Sequence, residues 1–134
     1  MRLVVDTGVF SAALSRRRRA DLDQQVTFLA GNQIFLAAST VAELRYGALL
    51  AGWGETRRAR LERAIETTTV IPVSDGLLTT LAELRLACRH IGHPLADPVH
   101  ANDLWIAASA VHTGLALVTA DNVFANAPRL KIAP

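Results

Sequence analysis

RLVVDTGVF (residues 2–10) decides how the chain is read. Leu3, Val4 and Val5 form a short, branched, apolar run of the kind that makes a buried strand over residues 2–6. Asp6 closes that run. Thr7 is placed to cap a following helix, with Val9, Phe10 and Leu14 as its core positions. An acid at the end of a buried strand calls for a reason, because burial penalises its charge.

Outward from this segment, strand and helix patterns alternate. Ser15 through Arg19 read as a polar, basic loop, and a helix is predicted over 20–30 with Leu22, Val26, Leu29 and Ala30 on one stripe. Gly31-Asn32 stops it. Ile34 to Ala37 form a second strand. Thr40 opens the next helix, with Leu44, Ala48 and Ala51 in apolar register. Gly52 and Gly54 break that helix around Trp53. A charged helix, TRRARLERAIETT, follows at about 55–67 and makes a hairpin expected to stand off the sheet. Val70 to Val73 read as a third strand. Ser74 caps a long helix to Arg89, with Leu77, Leu78, Leu81, Leu84 and Cys88 buried. Gly92 to Pro98 is a loop by its Gly and Pro content. A helix from His100 to His112 ends at Gly114. Residues 115–118 are a fourth strand, and Leu130-Lys131-Ile132 are a candidate edge strand. This alternation implies βαβ units: an α/β chain, a three-layer sandwich with a mostly parallel central sheet of four to five strands. The 134 residues suit one domain spanning 1–134.

In a parallel sheet, functional groups collect outside the carboxyl ends of the strands. Asp6 and Asp121 follow two strands directly. Glu43 and Asp103 are expected in the first turns of helices whose N-termini lie at that same edge. Each acid has a plainer explanation: Thr40 with Glu43 fits a capping box, Asp103 favours a helix dipole, and Asp121 is a turn residue. Four acids at one edge make the plainer explanations weak together. Clustered carboxylates raise one another's pKa unless a cation neutralises them. With oxygen donors alone, the preferred ion is hard, Mg²⁺ or Mn²⁺ rather than Zn²⁺. Such a site suits in-line attack of water on a phosphodiester, with helix N-termini at Thr7 and near Asn102 helping to hold phosphate.

Four segments carry a resemblance: LVVDTGVFSA (3–12), ASTVAELRYGALL (38–50), NDLWIAASAVHTG (102–114) and LALVTADNVF (115–124). In order and spacing they resemble the PIN-domain nucleases, and among these the VapC-type toxins of bacterial toxin–antitoxin pairs. The resemblance covers essentially the whole chain. It implies that Asp6, Glu43, Asp103 and Asp121 are the acidic, metal-coordinating residues, with Thr7 and Thr119 as hydroxyls beside the first and last acids and Asn102 as the polar residue before the third. It further implies Mg²⁺- or Mn²⁺-dependent endoribonuclease activity on structured RNA, a homodimer, and inhibition by a small VapB-type antitoxin.

The formal charge is +2, and the basic side chains are arginines except Lys131. Arginine forks match phosphate oxygens, although a GC-rich coding sequence produces the same bias. Arg16, Arg17, Arg18 and Arg19 are either a phosphate clamp for RNA or a solvated loop. Arg57, Arg58, Arg60 and Arg63 read as a solvated helix face, pairing in part with Glu62 and Glu66. Trp53 and Tyr46 read first as packing between the hairpin arms. Trp105 to Ala108 read as core and dimer packing. Cys88, His90 and His93 do not share a helix face and lack a fourth ligand, which argues against zinc. His112 reads as a helix-dipole partner, and His100 is a candidate to approach substrate. One cysteine excludes an intrachain disulfide and is compatible with a cytoplasmic setting. Asp6 interrupts the first apolar run, so the N-terminus does not read as a secretory signal, and no apolar run is long enough to span a bilayer.

Two other functions fit an acidic α/β edge. A receiver-like phosphoacceptor wants paired acids at the first strand and a late lysine within the sheet, and neither is present. A catalytically inactive RNA- or protein-binding module of the same fold is the other.

Overall fold

In a computed structural model describing residues 1–134, Arg2–Val5 form the first strand, β1. Its side chains alternate between the two faces of the sheet: Leu3 and Val5 enter one core, Val4 the other. Asp6, not Thr7, caps the helix that follows. Its Oδ1 accepts the Val9 N–H at 2.8 Å, which makes Thr7 the first residue of helix α1 (Thr7–Leu14). Val9 and Phe10 are buried as expected, whereas Leu14 at the helix end is exposed.

The expected helix over 20–30 is shorter. A 3₁₀ turn at Ala20–Leu22 leads into α2 (Asp23–Phe28), and the chain enters β2 (Gln33–Ala37). Leu22 is buried, Val26 and Leu29 are half-buried, and Ala30 is exposed. Helix α3 (Ala38–Leu50) begins directly at the strand end, two residues before Thr40. Thr40 therefore lies inside the helix, Glu43 falls in its second turn, and the capping box does not form. Ala51 is exposed rather than part of the core.

Helix α4 (Glu55–Glu66) does not stand off the sheet. Leu61 and Ile65, one turn apart, are its only buried side chains, and they pack with Leu44 and Ala48 of α3 in the core beside β1 and β2. Glu62 pairs with Arg45 of α3 at 2.7 Å instead of with its own helix, and Arg57 stacks over the Trp53 ring at 3.8 Å. The arms are thus joined to each other and to the sheet.

The third strand, β3 (Thr69–Ile71), stops at Pro72, earlier than the sequence pattern implies. Ser74 caps α5 (Asp75–His90) through the Leu77 N–H. Leu77, Leu84 and Cys88 are buried, Leu81 is half-buried, and Leu78 is exposed on the outer face. The Gly92–Pro98 loop contains tight structure: 3₁₀ turns at Pro94–Ala96 and Pro98–His100 each begin on proline, where the missing N–H costs nothing. Helix α6 (Ala101–Thr113) ends at Gly114, whose φ of 70° a side chain would strain. Strand β4 (Ala116–Val118) follows. The tail contributes a parallel bridge from Ile132 to Leu117 in place of a full strand.

The sheet is wholly parallel, in the order β3-β2-β1-β4. Helices α5 and α6 cover one face; α1, α3 and α4 cover the other. Both faces being covered explains the continuous apolar runs of the strands. From β1 the chain first builds to one side (β2, β3) and later returns to the other (β4). The reversal opens a crevice at the carboxyl ends of β1 and β4, the place where open α/β sheets hold ligands. No helix is long and apolar enough to cross a membrane.

Candidate active site

Asp6 occupies the crevice mouth. It is 7% exposed, and both oxygens are engaged: Oδ1 by the Val9 N–H, Oδ2 by the Thr119 hydroxyl arriving from β4. The same Thr119 oxygen accepts the Asp121 N–H at 3.0 Å, and Asp121 Oδ1 caps the next turn through Val123 N–H at 2.9 Å. Thr119 therefore ties the acid after β1 to the acid after β4. On the other flank, the Thr7 hydroxyl lies 3.1 Å from both Thr40 Oγ1 and Glu43 Oε1, joining the first turn of α1 to α3. Asp103 sits in the first turn of α6 with its Oδ2 3.3 Å from His100 Nδ1. Asn102 is exposed beside it.

The electrostatics show that these carboxyls share a neighbourhood. Burial pushes the Asp6 carboxyl above its ordinary range. The Thr119 and Val9 hydrogen bonds oppose that, and the charges of Asp121 and Asp103 add to it. Burial also raises Glu43, against the Thr7 hydrogen bond, and Asp103 and Asp6 raise it further. Asp103 is raised by burial and by Asp121, with His100 pulling the other way. Negative charge is thus concentrated at one rim and left unneutralised by any Lys or Arg pairing.

Does such a rim suit a divalent cation? The donors are carboxylate and hydroxyl oxygens. No three acidic, histidine or cysteine side chains come close enough together to hold one ion among them. A ready-made cage is what zinc or a structural calcium site wants. Mg²⁺ keeps several waters and takes one or two carboxylates directly, so an open, oxygen-only, repulsive rim fits it. Zinc at Cys88, His90 and His93 is excluded by geometry: both ring nitrogens of buried His93 are committed, Nε2 to Ala125 O at 2.8 Å and Nδ1 to Leu95 N–H at 3.1 Å.

All four acids thus reach the carboxyl edge of the sheet; Thr119 links Asp6 to Asp121, Thr7 holds Glu43, and Asp103 meets His100. The arginine run divides: Arg18 pairs with Asp23 and Arg19 with Asp21, while Arg16 and Arg17 remain free. Two residues gain site roles that the sequence analysis had not assigned. Thr40, taken there for a cap, meets the Thr7 hydroxyl. His100, considered only as a substrate group, is the partner of Asp103. The i,i+3 spacing of Thr40 with Glu43 and of His100 with Asp103 was the available signal, since it places each pair on one helical face.

Residues 3–130 match the PIN domain. The chain is 35% identical over 124 residues to Ribonuclease VapC5 of Mycobacterium tuberculosis, covering 91% of this chain and 84% of that protein. Among solved structures it superposes on VapBC-5 of Mycobacterium tuberculosis, a member of the VapBC family of toxin–antitoxin systems, with TM-score 0.69 and 30% identity over 98% of this chain and 96% of that one. The fold also matches VapBC2 of Rickettsia felis bound to a DNA fragment, at TM-score 0.79 and 24% identity, covering 99% of this chain and 98% of that one. Fold, length and sequence agree, and the chain belongs to the PIN-domain family, in its VapC-type branch.

Proposed function

We propose that this protein is a divalent-metal-dependent endoribonuclease, the toxin of a toxin–antitoxin pair, held inactive by a VapB-type antitoxin and acting as a cytoplasmic homodimer. The observation that carries the catalytic part is the convergence of Asp6, Glu43, Asp103 and Asp121, from four separate segments, on the sheet's switch point, where burial and mutual repulsion raise three of them. Likeness to proteins named as ribonucleases supports RNA as the substrate, and likeness to a toxin–antitoxin complex supports the antitoxin.

Asp6, Glu43, Asp103 and Asp121 would hold Mg²⁺ or Mn²⁺, one or two of them directly and the others through the ion's waters. Bound there, the ion supplies Lewis acidity and lowers the pKa of water at the site. The protein's own groups do the positioning. Thr119 holds Asp6 Oδ2 toward the crevice and fixes the turn that carries Asp121. Thr7 orients Glu43. With the proton on Nδ1, His100 donates to Asp103 Oδ2 and leaves Nε2 open toward solvent or substrate. The α6 N-terminus beside Asn102 contributes partial positive charge for a phosphate. Attack of water on phosphorus with departure of the 3′ oxygen gives 5′-phosphate and 3′-hydroxyl ends.

Incubation of the full chain with RNA and Mg²⁺, with and without chelator and beside Asp6→Asn, tests the assignment. Cutting in the first lane alone is expected. Equal cutting in all three rejects the mechanism, and RNA binding with no turnover in any lane reassigns the chain as a binding module of the same fold.

A further inference from the structure

One cleft of about 950 Å³ opens onto the acidic rim at Thr7 and Glu43 and runs away from it between α1, its following loop and the α3–α4 arms. Its charge is lopsided. Five arginines line it, Arg16, Arg17, Arg19, Arg57 and Arg60, against a single acid, Glu43 at the catalytic end. These arginines are not equivalent. Arg19 is spent on Asp21. Arg16 and Arg17 on the loop wall, and Arg57 and Arg60 on the α4 wall, have no carboxylate partner. The Arg57 guanidinium carbon lies over the Trp53 ring, 3.8 Å from its centroid, so this fork is pre-placed rather than free to wander.

We infer that this cleft is the track for a single-stranded stretch of RNA adjoining the scissile phosphate, with Arg16 and Arg17 on one wall and Arg57 and Arg60 on the other contacting its phosphates. The inference rests on the ribonuclease assignment above. Cationic walls that lead into an anionic rim suit a polyanion whose one reacting phosphate meets a cation there while its neighbours meet arginines. The cleft has the volume of a small-molecule site, room for a short strand segment between its walls. Small residues of the lining, Ala12, Gly47 and Ala48, keep it open to a strand. Arginine-lined grooves that follow a backbone bind single strands with strong salt dependence.

Binding is measured in chelator, so cutting does not enter. The full chain is titrated onto a short, fluorescently labelled, unstructured RNA by anisotropy over a range of salt concentrations. The variants are Arg16→Gln/Arg17→Gln/Arg57→Gln/Arg60→Gln and, as control, Arg85→Gln/Arg89→Gln on α5. All six side chains are exposed, so melting temperatures should stay near that of the parent. The quadruple variant is expected to bind at least about 10-fold more weakly at low salt and to lose about 3 from the slope of log K against log[salt], roughly 0.7 per phosphate contact. The control should match the parent. An unchanged slope in the quadruple variant overturns the inference. So does a duplex of the same sequence binding as tightly as the single strand. So does loss of binding to poly-glutamate with RNA binding intact, which would assign the cleft to an acidic protein segment. If the parent binds RNA with the expected slope yet never cuts it in Mg²⁺, the nuclease assignment fails and the track stands. If it cuts while the quadruple variant binds normally, the track alone fails.

Discussion

Replacing Asp6 separates its two jobs, capping α1 and placing charge at the rim. Asparagine caps a helix about as well as aspartate, so Asp6→Asn keeps the bond to the Val9 N–H while removing the charge. Alanine removes both. Losing the cap costs about 1 kcal/mol, and the stranded Val9 N–H brings the total to about 1–2 kcal/mol. For a chain of 134 residues, between the size classes for which such scaling is known, 1 kcal/mol moves Tm by about 4 °C. In chelator at neutral pH, Asp6→Asn should melt at or above the parent, because it removes a carboxylate that burial and the charges of Asp121 and Asp103 disfavour. Asp6→Ala should melt about 4–8 °C below Asp6→Asn. Both should lose at least about 100-fold in RNA cutting, close to 2.7 kcal/mol of transition-state stabilisation at 1.36 kcal/mol per decade. Mg²⁺ should raise the parent's Tm and leave both variants unmoved. Scanning calorimetry with and without Mg²⁺, beside a cutting assay, reads all of this. If Asp6→Asn melts below the parent, the charge is stabilising and the repulsive rim is wrong; if it melts as low as Asp6→Ala, the cap is worth nothing.

The pH dependence follows from the same groups. Asp6, Glu43 and Asp103 keep their protons to higher pH folded than unfolded, so their contribution to stability is full below the ordinary carboxylate values of 3.8 and 4.5 and is lost as pH rises through the raised folded values. Urea melts in chelator from about pH 4 to about pH 8 should show the stability of Asp6→Asn gaining on the parent as pH rises, then holding level, with Mg²⁺ shrinking the gap; a gap that opens toward acid contradicts the shifts. Thr119→Val removes the hydroxyl donated to Asp6 and the acceptor of the Asp121 N–H. It should cost about 1–3 kcal/mol in stability and move the acid limb of the cutting profile to higher pH, since Asp6 loses the bond that favours its charged form; Thr119→Ser should restore both. An unshifted profile would make Thr119 merely structural.

Much of the fold was legible because short-range physics wrote it. The β1 run, the Ser74 cap and the Gly114 stop each rest on local backbone or periodicity rules, and each appears where expected. The differences have local causes as well. Asp6 and Thr7 are both good caps, and Asp6 wins because it ends the strand with its carboxyl already over the Val9 N–H. Helix α3 starts at Ala38 because β2 ends there and nothing in Ala38-Ser39 resists helix, so Glu43 moves a turn inward. Leu14 and Leu78 were expected in the core on hydrophobicity alone, yet helix ends and outer faces expose them. In α4 the Leu61–Ile65 pair outweighs eight charged or polar residues around it, because tertiary packing supplies most helix stability.

Of the site, the sequence by itself determined the acids, their place after strands or near helix starts, and the oxygen-only donor set on which the proposal of a hard cation rests. These are properties of residue type and of positions a few residues apart. Only the tertiary structure decided who meets whom. Thr119 reaches Asp6 across 113 residues because β4 pairs with β1 and not with β3. It also decided that Arg18 and Arg19 are spent on nearby aspartates while Arg16 and Arg17 face the α4 arginines across a cleft. Strand order is set by burying both sheet faces at once, a sum over many weak apolar contacts that no local segment encodes.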